Sequence, residues 1–234
     1  MHGKKKKQAV GVRWGKTPAS QRRRQDIVAA AKAVFFKEGY QLASMDRIAS
    51  AAGTTKRTLY DHFGTKEALF SECIRYGCQL FVRSLPQPEE LSEDIASALT
   101  QFIGGLASLL NAPDTIRFLR MVIGEAERHP DFGRILQEEA FTPAAQTLRT
   151  FLDRQITTGN LRPHDTGLWA QILVGLAATF EHTQALLGAG NTGCESRSQQ
   201  ARAQSIASYV RDHKISRSPH RTPQPRSVPR PRNE

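Results

Sequence analysis

The sequence has few cysteines, no long apolar run and no strand-like pattern, and each shortage excludes a class of protein. Three cysteines among 234 residues have no regular spacing, which is typical of a reducing compartment rather than of a disulfide-stapled secreted protein. The longest apolar runs, near Phe102 and Ile172, are far shorter than the roughly 18 residues that a membrane-spanning helix needs. No apolar stretch of the signal-peptide type follows the lysines at the N-terminus. We therefore expect a cytoplasmic protein with no membrane segment.

Acidic residues are scarce only at the two ends of the chain. The formal net charge is +11, but residues 1–26 carry nine Lys or Arg and one Asp, and residues 214–234 carry six and one Glu. Residues 27–213 hold eighteen basic and twenty acidic side chains. Because a basic tail attracts any polyanion, the total charge supports nucleic-acid binding only weakly.

A sustained period-two pattern is also absent, and apolar residues recur at helical spacing along most of the chain. The pattern predicts an all-α protein of about nine helices, four of which precede Pro86. Longer helices are expected at about 89–110, 114–129, 131–158, 165–188 and 196–213, with breaks marked by Pro, Gly and Asn. From Ser216 onward the chain is rich in Pro and Arg and lacks the apolar content of a folded core.

Two of the short helices are joined by a turn that contains a glycine, which is the pattern of a helix-turn-helix. Ser44 is a suitable N-cap for the first helix, and Gly53 ends it. Thr54 or Thr55 caps the second helix, and Gly64 ends that one. The second helix of such a unit lies in the major groove of DNA.

The second helix is apolar on one side only. With Leu59 and Phe63 turned inward, a step of about 100° per residue places Arg57 on the opposite side, where it is suited to reading guanine. Backbone N–H groups near Ser44 and Thr55 are predicted to contact phosphate. Phosphate contacts are also predicted for the side chains of Lys56, Tyr60, His62 and Lys66. A solvated face on a structural or scaffolding helical protein explains the same periodicity without DNA.

The run SMDRIASAAGTTKRTLYDHFGTKEALF strongly resembles the DNA-binding domain of TetR-type transcriptional regulators, over about residues 22–70. The elements that carry the resemblance are Gly53, the Leu-Tyr-x-His-Phe of residues 59–63 and the Lys-Glu-x-Leu of residues 66–69. Thr54 stands where the family usually has an apolar residue, so the packing within the turn is expected to differ.

The resemblance implies DNA-binding roles for eight side chains. Ser44 and Lys66 look like backbone anchors. The base-reading candidates are Thr55, Lys56, Arg57 and Thr58, and the phosphate contacts are Tyr60 and His62.

The remaining two thirds of the chain resembles, less specifically, the C-terminal domain of an AefR-like subgroup, through FLRMVIGEAERHPDF and TFLDRQITTGNLRPHDT. In such proteins this part senses a ligand and dimerises. The expected division is a disordered basic arm over 1–19, a helix-turn-helix domain over 20–66, a helical ligand-binding and dimerisation domain over 67–213 and a disordered tail over 214–234.

A homodimer seam is expected on the helices at about 165–188 and 196–213. Leu168, Ile172, Gly175, Ala178 and Thr179 lie there at close-packing spacing, although a stripe of intramolecular core gives the same pattern. Apolar periodicity also suggests the wall of an effector cavity. Its predicted residues are Phe102, Leu106, Phe118, Met121, Val122, Trp169, Leu173 and Phe180.

An enzyme is the rival class. Glu125 and His129 share a helix face at i, i+4, but no second motif completes a metal site, and a solvated helix end before Pro130 explains both residues. Cys73 and Cys78 are most simply small core residues, with a redox-sensing thiol as the alternative. We expect no enzyme, no cofactor and no metal.

These observations together predict a TetR-type repressor. It would bind a near-palindromic DNA operator as a homodimer and be released from it by a small-molecule effector.

Overall fold

The computed structural model describes residues 18–189 and 195–215. The predicted basic arm, apart from its last residues, lies outside this part of the chain. Cys194 and the Pro/Arg-rich end from residue 216 onward lie outside it as well.

The described residues form eleven α-helices and one π-helical turn, so the prediction of an all-α fold is confirmed. Three of these segments, α7, the π turn and α8, run on without a break as one long helix. The segments are α1 (Pro18–Leu42), α2 (Met45–Ala51), α3 (Lys56–Phe63), α4 (Lys66–Arg83), α5 (Ile95–Asn111), α6 (Pro113–Gly124), α7 (Pro130–Leu136), the π turn (Gln137–Phe141), α8 (Thr142–Thr157), α9 (Thr166–Gly175), α10 (Phe180–Leu187) and α11 (Glu195–His213).

Side-chain caps begin five of the helices. Each cap residue has an extended backbone, and its side-chain oxygen accepts a hydrogen bond from the backbone N–H three residues further on. These residues are Ser44, Thr55, Thr65, Asp94 and Asp165. The first two are the caps that the sequence predicts for the helix-turn-helix.

Two predicted helix bounds differ from the structure by several residues. The helix expected to start near residue 89 starts at Ile95, because Asp94 caps it through the N–H of Ser97. The helix expected to reach residue 129 ends at Gly124, since Gly lowers helix propensity and the residue before Pro130 is held out of the α region.

The single helix predicted over 165–188 is two helices. After α9 ends at Gly175, the N–H groups of Ala177 and Ala178 bond to carbonyls only three residues back. Thr179 then adopts an extended backbone (φ −75°, ψ −177°) and α10 starts at Phe180. Glycine and threonine are weak helix formers, and here they mark the break.

Two apolar cores hold these helices together. The first is built by α1 to α4 and also takes in Val122 of α6, Phe132 and Ile135 of α7 and Ala140 of the π turn. The second is built mainly from α5, α8, α9 and α11. The core of the helix-turn-helix end is therefore closed by residues from the C-terminal two thirds of the chain.

Candidate nucleic-acid interface

The helix-turn-helix consists of α2, a turn over residues 52–55, and α3. Gly53 has φ +58°, a backbone conformation that strains residues with a Cβ, and the next residue, Thr54, bonds through its N–H to the carbonyl of Ala49 at 3.0 Å. Leu59 and Phe63 are buried beneath α3 as the sequence predicts. The turn and these two anchors fix which side of α3 faces outward.

The outward side of α3 is open to solvent. The side chain of Arg57 is 91% exposed and lies at the far side from Leu59, with its Nε 3.8 Å from Oδ2 of Asp61. Tyr60 is exposed and His62 is half-buried. Among the described residues, nothing seals this face against the body of the protein.

Lys56 and the threonines order the N-terminal end of α3. Nζ of Lys56 lies 2.7 Å from Oδ2 of Asp46 on α2, and this hydrogen bond raises the pKa of Lys56 above its usual value. The hydroxyls of Thr55 and Thr58 are 2.8 Å apart, and the N–H of Thr58 donates to Thr55 Oγ1 at 3.1 Å. The four residues with predicted base-reading roles thus lie together at one helix end.

The two predicted backbone anchors occupy the ends of neighbouring helices. Ser44 Oγ caps α2 by accepting from the N–H of Arg47 at 3.2 Å. Nζ of Lys66 donates to the carbonyl of Gln41 at 3.1 Å and lies 4.7 Å from the centre of the Tyr40 ring. An ammonium group has three N–H donors, so Lys66 has two further donors while it joins α1 to α4.

Glu125 and His129 lie at the contact between the end of α1 and the segment that joins α6 to α7. Glu125 is buried and its Oε2 accepts from Nε2 of Gln41 at 2.6 Å, so the expectation of a solvated helix end is wrong for it. The ring of His129 stacks on Phe132 with centroids 4.8 Å apart and meets Tyr40 edge-on at 5.4 Å. The sequence carries no signal for these contacts, because Gln41 lies 84 residues before Glu125.

A half-open cavity of about 210 Å³ lies where α1, α4, α5, α6 and the π turn meet. Its lining is mostly apolar. The lining residues are Lys32, Phe36, Gly77, Cys78, Leu80, Phe81, Ser84, Leu109, Leu110, Asp114, Thr115, Phe118, Leu119, Leu136, Ala140 and Phe141.

Of the eight predicted wall residues, Phe118 lines this cavity. Phe102, Leu106 and Leu173 are fully buried in the second core, and Val122 belongs to the first. Met121 packs against the first core and Trp169 against the second. Phe180 is 69% exposed at the start of α10.

The predicted dimer stripe is on the surface of the protomer. Leu168 and Ile172 of α9 are 53% and 43% exposed, and Gly175 and Ala178 are exposed as well. Their alternative interpretation as intramolecular core is therefore wrong for these four residues.

The described ranges contain no group of three or more His, Cys, Asp and Glu side chains that could hold a metal ion. Both described cysteines are buried free thiols. Burial raises the pKa of Cys78 to about 12 and also raises the pKa of Cys73. A thiol with a raised pKa forms little thiolate, which argues against a redox sensor at either position.

Within residues 18–189 and 195–215, no single helix is both long and apolar enough to cross a membrane. The α5–α6 pair meets the length and composition test only when taken together, and it is bent by 67°.

A capped helix-turn-helix with an open second helix, carried on a larger helical body, places the chain in the helix-turn-helix class. Residues 27–73 match the family model of bacterial regulatory proteins of the tetR family. Residues 97–211 match the AefR-like transcriptional repressor C-terminal domain, so the two models together match more than half of the chain. The chain belongs to the TetR family of transcriptional regulators.

Relatives and solved structures agree with this assignment. The HTH-type transcriptional repressor ComR of Escherichia coli is 28% identical over 134 residues, which are 56% of this chain and 64% of ComR. The HTH-type transcriptional activator FasR of Mycolicibacterium smegmatis is 40% identical over 68 residues, or 29% of this chain and 31% of FasR. The chain thus spans less than two thirds of either curated relative.

Among solved structures, the flavonoid-responsive regulator FrrA is 27% identical and superposes with a TM-score of 0.69. The match covers 85% of this chain and 100% of that chain. Members of the family are regulators rather than enzymes, so Glu125 and His129 have no catalytic assignment.

Proposed function

We propose that this protein is a transcriptional repressor that binds a near-palindromic DNA operator as a homodimer and releases it when a small organic effector binds. The observation that carries the proposal is the open outer side of α3, where Arg57 is almost fully exposed above the buried anchors Leu59 and Phe63. A short helix with one free polar face fits the major groove, where its N-terminal side chains reach base edges.

The polar side chains around α3 support a division between base reading and phosphate contact. Arg57 and the Thr55–Thr58 pair are placed for base edges, together with Lys56. We assign Ser44, Tyr60, His62 and Lys66 to the flanking phosphates, because Ser44 and Lys66 lie at helix starts and Tyr60 and His62 lie on α3 beyond its base-reading end.

A dimer is supported by the apolar stripe that one protomer leaves exposed on α9. One recognition helix in one groove holds little affinity, whereas two half-sites on a twofold dimer give enough. We place the seam on α9 and α10 with α11. In this arrangement Leu168 and Ile172 would be covered by the second copy.

Release by an effector is supported by the first core, because it packs α1 to α4 against residues of α6, α7 and the π turn. A molecule bound among the helices after residue 67 can shift the protein between conformers only by binding one of them more tightly. The domain division given above, with DNA binding over 20–66 and sensing over 67–213, stays part of this proposal. FrrA is described as flavonoid-responsive, which makes a small aromatic effector a reasonable class to try here.

The test is selection of binding sites from a random duplex library by the full-length protein at moderate salt. We expect enrichment of a palindrome whose half-site centres are about one helical turn, roughly 34–36 Å, apart. A structural or scaffolding helical protein would enrich no sequence. Recovery of a random pool after several rounds would refute the proposal. Binding beside a promoter with loss of transcription then separates a repressor from an activator such as FasR.

A further inference from the structure

The cavity at the α1–α6 contact differs from a simple core defect because its mostly apolar lining includes one cation, Lys32, and one carboxylate, Asp114. Lys32 and Phe36 come from α1, the first helix of the DNA-binding unit, and Phe118 comes from α6. The rings of Phe36 and Phe118 are 6.1 Å apart, so the two helices meet at this cavity. A molecule bound here touches both parts of the protein at once.

The size and lining favour an aromatic body. The cavity of about 210 Å³ exceeds the roughly 150 Å³ that holds a benzene in a protein core, so one ring with a substituent, or two fused rings, can enter. Four phenylalanines line the space, and aromatic faces and edges pack well against a planar ring. Those phenylalanines are Phe36, Phe81, Phe118 and Phe141.

Gly77 contributes the room on the α4 side. A Cβ built on Gly77 would lie 3.6 Å from the ring of Phe118, an ordinary contact, so alanine fits and a longer side chain would project into the cavity. Glycine inside a helix destabilises it by roughly 0.5–1 kcal/mol relative to alanine. The cavity therefore lies beside a residue that lowers the stability of α4.

The charge of Lys32 points to an acidic group on the ligand. Within the described part of the chain, no carboxylate lies within ion-pairing distance of its ammonium, which lies 5.2 Å from the centre of the Phe36 ring. Asp114 and Thr115 lie at the start of α6 and also line the cavity. An acidic oxygen is attracted to Lys32 and repelled by Asp114, whereas a hydroxyl or N–H donor suits Asp114 or Thr115.

We infer that this cavity binds a planar aromatic anion, a carboxylate or phenolate of one or two rings, with its acidic oxygen on Lys32 and its ring among the phenylalanines. This inference rests on the proposed function in taking the bound anion as the effector. Because Lys32 and Phe36 belong to α1, the anion sets the distance between α1 and α6. It thereby favours one orientation of the helix-turn-helix unit.

The experiment uses the full chain and two probes of the same shape, naphthoate and the neutral naphthamide, titrated by calorimetry. Lys32→Met keeps the length of the side chain and removes its charge. We expect this change to weaken naphthoate binding about tenfold or more and to leave naphthamide binding nearly unchanged. Lys37→Met, on the same helix and outside the cavity, is the matched control and should alter neither titration.

Gly77→Leu fills the cavity and should weaken both probes, whereas Gly77→Ala checks that a side chain at this position leaves the protein folded. The inference is overturned if Lys32→Met leaves naphthoate binding unchanged, or if Gly77→Leu does so, because the probe then binds elsewhere. Operator affinity is measured separately. Operator affinity without a probe tests the proposed function alone. With naphthoate present, operator affinity should fall for the native chain but not for Lys32→Met.

Discussion

At the scale of single residues, the cations of α3 are held by pairs that DNA can replace. Lys56 pairs with Asp46, and Arg57 lies near Asp61, with both pairs exposed to solvent. Exposed pairs of this kind contribute little to stability, because solvent and salt screen them. A bidentate arginine–guanine contact discriminates by roughly 1–3 kcal/mol, so contact with the correct base outweighs the pair that it breaks.

Arg57→Ala should cost about 1–3 kcal/mol of operator affinity and relax the preference at one base position in each half-site. The measurement is competition binding against operators changed one base pair at a time. Arg134→Ala is the control, since Arg134 is an equally charged exposed residue of α7 paired with Asp131 at 2.7 Å. Equal losses on operator and random DNA after the Arg57 change would contradict base reading.

The buried thiols give a prediction about alkylation of the native protein. The thiolate is the form that reacts, and a pKa of about 12 leaves roughly one Cys78 thiol in ten thousand ionised at pH 8. We expect the Cys73 and Cys78 peptides to resist iodoacetamide at pH 8 in the native protein and to react once urea exposes them. Mass spectrometry of the digested protein reads both sites. Fast native alkylation of either would revive the redox-sensor interpretation.

Local chemistry made some residues predictable and not others. The sequence predicts the Ser44 cap and the Gly53 turn, and it narrows the cap of α3 to Thr54 or Thr55, because a cap or a left-handed turn depends only on neighbours within a few positions. The burial of Glu125 was not predictable, since its partner Gln41 is brought to it by the packing of α1 against α6.

At the scale of helices, polar links tie α1 and α4 to the segments after them. Glu72 and Arg75 of α4 form a chain of ion pairs with Arg24 of α1 and Glu139 of the π turn. The Gln41–Glu125 hydrogen bond joins the end of α1 to the residue that follows α6. A movement of the π turn or of α6 would therefore be transmitted to α1 and α4, the two helices that flank the helix-turn-helix.

The Gln41–Glu125 link should appear as coupling in a double-mutant cycle. Gln41→Ala removes a donor from a buried carboxylate and should lower the free energy of unfolding by about 1–3 kcal/mol. Combined with Glu125→Ala, its effect should be clearly smaller than the sum of the two, as urea unfolding would measure. Glu127 is exposed two residues further along the chain, so Glu127→Ala with Gln41→Ala should be additive. Additivity in both cycles would show that the link contributes nothing.

At the scale of the whole molecule, apolar periodicity predicts which residues are buried but not which residues line a cavity. Phe102, Leu106 and Leu173 have the same spacing signal as Phe118, yet only Phe118 among the four reaches the cavity. A cavity forms where three or more helices fail to meet, and that depends on their mutual angles, which no single segment encodes.

The proposed homodimer would cover apolar side chains that a single copy leaves exposed on α9. Leu168 is 53% exposed on α9, so the proposed seam would bury about half of a side chain whose full burial contributes roughly 1.5–3 kcal/mol. Leu168→Asp at the seam places two carboxylates at the twofold interface, where each must lose water without a partner. We expect dissociation to monomers in sedimentation velocity and loss of cooperative operator binding. Leu42→Asp makes the same change at a leucine that is 81% exposed on α1 and should stay dimeric. If Leu168→Asp also stayed dimeric, the seam would have to lie elsewhere.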